Sequence, residues 1–375
     1  MSQASRSALL DCTKGLACAA IVWHHLAFYG PMSDVARAEI PELIDWLYEY
    51  ARMAVQIFLV LGGYLAAASL APQGQARFDA PWLRIGRRFV RLIVPYAVAL
   101  VVVMLVSEVV RPWFDHESIS AEPDLWQLIT HALLLQGIAG EESLSAGVWY
   151  VSIDFQLFAL TVLLLVLARG LSHRPAAWPP GWTLSQLLVV LLAAASLLGF
   201  NRDADWDDWA LYFFGAYGLG MMACWAVQAP KRAAAWAWSL LMVGLVMLAL
   251  ALQWRDRIAL AGATALALVA AMRSPSLAQW QGWRPLGRLG QISYSVFLVH
   301  FAVCLLMNAV VHYFWPDSVV AALWGMPIAF VLSIAAGYGL YERVERPVST
   351  WQVALRWQAG LVGAGMLAAA VAALH

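Results

Sequence analysis

The sequence predicts an all-α, polytopic transmembrane helical bundle, and three observations carry that prediction. Hydrophobic residues fill 62% of the 375 positions and charged residues only 12%, where a soluble domain carries about a quarter charged. The mean hydropathy is +0.70. Apolar runs close to the ~20 residues a helix needs to cross the hydrocarbon core recur along the chain. The formal net charge is +0 and no long block of like charge is present, so nothing points to nucleic acid. Cys12, Cys18, Cys224 and Cys304 lie singly in apolar stretches. Their spacing suits neither a disulfide framework nor a metal site, and no metal is predicted.

Taken in order, the runs give about eleven spans, at 8–29, 50–71, 88–110, 147–168, 183–200, 208–227, 234–252, 257–273, 288–312, 318–341 and 353–374. Ten form a core and the last is an additional C-terminal helix. The first is long enough to span and is expected to stay as a signal anchor. Segment 125–139, LWQLITHALLLQGIA, is short for a span and carries His131 and two glutamines. It has the length of a re-entrant or interfacial piece. Leaving it uncrossed lets the basic connections alternate: 72–91, 169–174 with Arg169 and Arg174, 231–232, 273–288 and 343–356 fall on one side. By the positive-inside rule that side is cytoplasmic, which puts the N-terminus inside and the C-terminus outside. Tryptophans near span ends, such as Trp82, Trp113, Trp254 and Trp315, suit interfacial belts. The domain reading is one membrane domain at 1–347 plus the helix at 348–375, with no appended soluble domain.

The first span carries groups a lipid-facing helix avoids. Lys14 and His25 are eleven residues apart, which turns a helix through about 1100°, roughly 20° short of alignment, over about 16–17 Å. Both therefore share one face, and that face requires a cavity or polar partners. An Asp11–Lys14 pair is the plainer account of the lysine, and a structural role is the plainer account of the histidine. His24 points about 100° away from His25 and reads as structural.

This Lys, ten residues, His arrangement resembles the hallmark of the membrane-bound acyltransferase family three, integral-membrane bacterial O-acyltransferases acting on surface glycans. Further stretches resemble that family's motifs in the same order: FLVLGGYLAAASL at 58–70, RRFVRLIVPY at 87–96, VWYVSIDFQLF at 148–158, LGQISYSVFLVH at 289–300 and ERVERP at 342–347. Two departures stand out. Asp154 occupies a position where relatives usually carry the longer Glu, and Gly62-Gly63 replaces a common Ser-Gly, so Gly62 receives no catalytic role.

The resemblance implies an O-acyltransferase, in the first instance an O-acetyltransferase, using acetyl-CoA or another acyl-CoA as donor. His25 is then the general base or acyl relay. Asp154 is the candidate to orient it or to bind acceptor hydroxyls. Arg84, Arg88 and Arg91 recur at i, i+4 and i+7 at the cytoplasmic start of the third span, with Arg87 beside them. Guanidinium forks suit phosphates, so Arg87, Arg88, Arg91 and Lys14 are expected at the donor's phosphates, although topology alone also places arginines there. Trp149, Ser152, Gln156, Tyr294 and His300 are expected to line the substrate channel. Asp154 is expected just inside the outer face, at the depth of His25. The partners implied are membrane lipid, a glycan or lipid-linked glycan acceptor, and a protein that delivers it. The location implied is the bacterial inner membrane. A transporter of a lipid-linked or sugar substrate and a non-catalytic assembly partner remain the alternatives.

Overall fold

The computed structural model describes residues 7–172 and 182–372. Arg174 and His375 lie outside the described residues. Within them there is no strand. The helices are α1 (Ala8–Phe28), α2 (Pro31–Ala36), α3 (Pro41–Glu49), α4 (Val55–Leu70), α5 (Pro81–Val110), α6 (Leu125–Ala132), α7 (Trp149–Leu171) and α8 (Leu184–Leu198). They continue as α9 (Ala210–Gln228), α10 (Arg232–Leu252), α11 (Asp256–Arg273), α12 (Pro275–Ala278), α13 (Arg284–Gln291), α14 (Ser293–Phe314), α15 (Val319–Leu340) and α16 (Trp351–Ala372).

Nine helices among the described residues are long and apolar enough to cross a membrane. The chain is a multi-pass helical membrane protein. The two further spans expected at 8–29 and 257–273 are helical but more polar. α1 holds Asp11, Lys14, His24 and His25, and the 18-residue α11 holds Asp256, Arg257 and Arg273. Segment 125–139 contributes only the eight residues of α6, about 12 Å of helix, capped by the Asp124 carboxylate accepting from the Gln127 N–H at 2.7 Å. Leu134 then takes a left-handed conformation, φ 58°, which turns the chain before it can cross.

The chain forms two compact units. One comprises Met1–Leu10, Val55–Arg88 and Ile153–Gly282. Its centre is α9, apolar all round and buried along nearly its whole length, as a helix enclosed by other helices must be. Close backbone approach fixes α4 on α9: a Cβ at Gly63 would lie 1.8 Å from the Tyr217 carbonyl oxygen, and one at Gly220 1.9 Å from that of Val60. Small residues at such crossings are how helices gain packing contacts without a hydrophobic driving force.

The other unit comprises Asp11–Ala54, Phe89–Ser152 and Trp283–His375. Here α1 and α14 lie side by side. Cys18 Sγ faces the Ser293 carbonyl at 3.7 Å, His25 meets His300, and Asn308 Oδ1 accepts from the Met32 N–H at 3.0 Å. Residue numbers rise together along both helices, so they run parallel. Asn308 also donates to the Tyr29 carbonyl at 2.8 Å, pinning the end of α1 and with it the height of His25.

Candidate active site

The parallel register of α1 on α14 brings two buried imidazoles edge to edge. His25 Nδ1 and His300 Nε2 are 2.5 Å apart. The rings are nearly parallel, 8° between planes, with centroids 4.8 Å apart. That separation is the N···N distance plus both ring radii, the geometry of an in-plane hydrogen bond rather than of a stack. His300 Nδ1 lies 2.7 Å from the Phe297 carbonyl oxygen. A carbonyl can only accept, which assigns the proton to His300 Nδ1 and leaves His300 Nε2 as the acceptor. His25 Nδ1–H must then be the donor, and His25 Nε2 keeps its lone pair. The chain of bonds thus fixes one tautomer and one ring orientation, and presents a single basic nitrogen.

The wall beside that nitrogen is backbone. Gly147, at φ +81°, would place a Cβ 3.0 Å from Phe297 Cζ and 3.4 Å from His25 Cε1. A side chain there would be strained, would crowd the Phe297 ring and would touch the His25 ring edge between its two nitrogens. Tyr29 closes another side of His25, edge-on at 5.4 Å between centroids. His24 faces elsewhere, its Nδ1–H donating to the Leu47 carbonyl at 3.1 Å.

The 125–148 stretch carries this wall. His131 is fully buried. Its Nδ1–H donates to the Gln127 carbonyl at 2.8 Å, and its Nε2 accepts from the Leu144 N–H at 3.1 Å. Both bonds require neutral imidazole, and burial pushes its pKa down to about 4. Gln136 receives the Ser152 hydroxyl on Oε1 at 2.8 Å and donates through Nε2 to the Tyr96 hydroxyl at 3.2 Å. Ser152 is therefore anchored within a buried polar cluster at the start of α7.

In the other unit Arg88 Nη2 donates to Asp154 Oδ2 at 2.5 Å, and the Arg88 guanidinium lies over the Phe158 ring at 5.5 Å. The side chains are 31% and 12% exposed, so each charge depends on the other for compensation. This corrects the expected depths. Arg88 was placed at the cytoplasmic mouth and Asp154 near the outer face, yet they share one level. Further along α7, Arg169 lies 4.0 Å from Asp79, which just precedes α5. α7 runs fifteen residues, about 22 Å, from Asp154 to Arg169, and Arg88 lies seven residues into α5, so the ion pair sits inside both helix ends. A Cβ at Gly62 would lie 3.3 Å from Tyr217 Cε2 and 3.9 Å from Asp154 Oδ1, so the position without a hydroxyl faces this ion pair.

The remaining expected residues take separate places. Gln156 Oε1 accepts from the Ala210 N–H at 3.1 Å and so caps the first turn of α9. Tyr294 donates its hydroxyl to the Leu92 carbonyl at 2.8 Å. Trp149 is exposed at the start of α7, Arg87 and Arg91 are exposed on α5, and Lys14 is half-buried on α1. Asp11 accepts from Gln291 Nε2 at 3.3 Å. Among the described residues no group of three or more His, Cys, Asp and Glu could hold a metal. Sequence reasoning missed Gln136, Phe297 and Gly147. Only Gln136 left a trace, as a polar residue in an apolar run.

The model of the acyltransferase family 3 domain, described as an acyltransferase domain, matches residues 8–342. The chain belongs to that family. It is thus a membrane acyltransferase, and the matched residues include His25, Asp154 and His300. No curated protein and no solved structure matches this acyltransferase.

Proposed function

We propose that this acyltransferase moves an acyl group, in the first instance acetyl, from cytoplasmic acyl-CoA to a hydroxyl of an extracytoplasmic or lipid-linked glycan at the bacterial inner membrane. The observation that supports it is the bond chain from the Phe297 carbonyl through His300 to His25, which leaves His25 Nε2 as an oriented, unprotonated nitrogen. This is the arrangement a general base or nucleophile needs, with a second group holding its tautomer. As a base, Nε2 takes the proton of the acceptor hydroxyl while its oxygen attacks the thioester carbonyl. The C–O bond forms, the C–S bond breaks, and the proton passes to the departing CoA sulfur. As a relay, Nε2 itself displaces CoA and the acyl-imidazole then acylates the hydroxyl.

Ser145 is buried, and its hydroxyl has no hydrogen-bond partner among the described residues. Two residues before Gly147, it is a group that substrate would satisfy. The cations proposed for the donor's phosphates are Lys14, Arg87, Arg88 and Arg91. Arg88 is committed to Asp154, so a phosphate there has to share or displace that carboxylate. Asp154 accordingly acts through Arg88 in this reading, while Trp149, Ser152, Gln156 and Tyr294 support the walls.

The test is turnover of acetyl-CoA by purified protein with candidate glycans, alongside calorimetric acyl-CoA binding. Replacing His25 by Ala is expected to lower transfer by about 10²–10⁴-fold with donor affinity unchanged. His24→Ala is expected to lower thermal stability, losing about 1 kcal/mol with its bond to Leu47, at unchanged turnover per folded molecule. Undiminished turnover in His25→Ala would overturn the assignment.

A further inference from the structure

The helix α16 lies beyond the residues matched to the acyltransferase domain, which end at 342, yet it is docked on the stretch that walls His25. Most of α16 is exposed. Its buried positions form one seam, Ala354, Leu361 and Gly365, with Gln358 half-buried among them. These are spaced i, i+4, i+7 and i+11, the pattern of a narrow helix–helix contact. Gln358 Nε2 donates to the Ala132 carbonyl at 2.6 Å. A Cβ at Gly365 would lie 2.4 Å from Leu128 Cδ2. The seam therefore seats the middle and the C-terminal end of α6. Gly363, two residues away, has no atom within 4 Å of its Cβ position.

From α6 the contacts continue to the site. His131, next to Ala132, accepts the Leu144 N–H, and three residues later Gly147 lies against His25. Beyond α6, Gln136 holds Ser152 at the start of α7. A short helix ended by a left-handed Leu134 has no continuous neighbour in sequence to hold its height, so its height is set by what it is seated on.

We infer that Gln358 and Gly365 of α16 are positioning residues for the acyl-transfer reaction, holding α6 so that the 144–148 backbone stays against His25. α16 is then a working part of the catalytic unit as well as a membrane anchor. The inference rests on the acyl-transfer reading, and its test separates the two.

In the full chain, Gly365→Leu is compared with Gly363→Leu, which adds the same side chain on the exposed face. Acyl transfer from acetyl-CoA is measured together with hydrogen exchange at 144–148. Gly365→Leu is expected to lower kcat by about ten- to a hundredfold through misplacement of the wall, to leave KM for acetyl-CoA within about twofold because uniform binding is untouched, and to speed exchange at 144–148. Gly363→Leu is expected to match the unaltered protein in both. Adding Leu128→Ala to Gly365→Leu makes room at the seam and is expected to restore both readouts. Equal kcat and exchange in the two leucine variants overturns the inference, as does faster exchange at full kcat. An unaltered protein inactive with acetyl-CoA, whose 144–148 exchange still rises in Gly365→Leu, supports the link from α16 to the wall and counts against the acyl-transfer reading.

Discussion

At the residue scale, the proposed chemistry rests on a nitrogen whose protonation state is set by a neighbour. His300 accepts from His25 only because its other nitrogen is spent on the Phe297 carbonyl. Replacing His300 with Phe fills a similar volume and removes the acceptor, so the His25 proton is no longer held on Nδ1. Turnover is expected to fall by about 10–100-fold, the size of loss that follows removal of the hydrogen-bond partner of a metal-bound histidine. His300→Gln offers an amide oxygen to the same N–H and is expected to recover much of that loss. Steady-state kinetics with melting curves decide it; equal activity of the Phe and Gln variants would leave His300 a packing residue. At this scale the sequence identified His25 and His300 separately. Their partnership was illegible because they are 275 residues apart in the chain. Asp154 was expected to serve the histidine, and its observed partner is Arg88; helical spacing ranks faces of one helix and says nothing of what another helix brings.

Among the elements, α6 and the loop after it form the piece most sensitive to solution conditions. His131 must be neutral to donate to Gln127 and accept from Leu144. Burial lowers its pKa to about 4 from the ordinary imidazole value of 6.5, so the unfolded chain binds the extra proton first as pH falls. The contribution of this site to stability is whole above pH ~6.5 and is lost progressively toward pH ~4. A shift of that size corresponds to about 3 kcal/mol. Melting temperature in detergent is expected to decline between pH 6.5 and 5, above the ordinary carboxylate range, and His131→Gln is expected to flatten that decline. A variant with the same slope would show that His131 carries no such linkage. The sequence exposed the anomaly, since fifteen residues with a histidine and two glutamines are too short and too polar to cross. The left-handed Leu134 and the seat on α16 had no local signature.

Direction of the helices ties the whole molecule to its topology. α1 and α14 run parallel, and α4, α5, α7, α8, α9, α10 and α11 lie between them in sequence. The eleven-span expectation counts seven crossings between the two, which returns the chain to its starting direction as their parallel packing requires; an eighth by 125–139 would make them antiparallel. α6 also runs opposite to α16, since Leu128 meets Gly365 and Ala132 meets Gln358. The Gln127 amide donates to the Glu142 carbonyl at 2.8 Å, so the chain has returned to the level of the start of α6 by residue 142. The positive-inside expectation then puts this loop on the outer side. A cysteine at Ser143 is therefore expected to react with an impermeant maleimide in intact cells; labelling only after the membrane is opened would reverse the assignment.

Composition and the spacing of apolar runs determined that this chain is a membrane helical bundle, because the bilayer imposes a length and a polarity on any helix that crosses it. Charge placement along those runs gave an expected orientation, and motif order pointed to the acyltransferase family. Tertiary structure alone decided which charges neutralise each other, which nitrogen of His25 is basic, and what holds the 125–148 stretch in place. Each of those depends on the height at which one helix is set against another. In a bundle that height is fixed by contacts such as Asn308 on the end of α1 and Gly365 against Leu128, between residues far apart in sequence, which no periodicity within a single helix encodes.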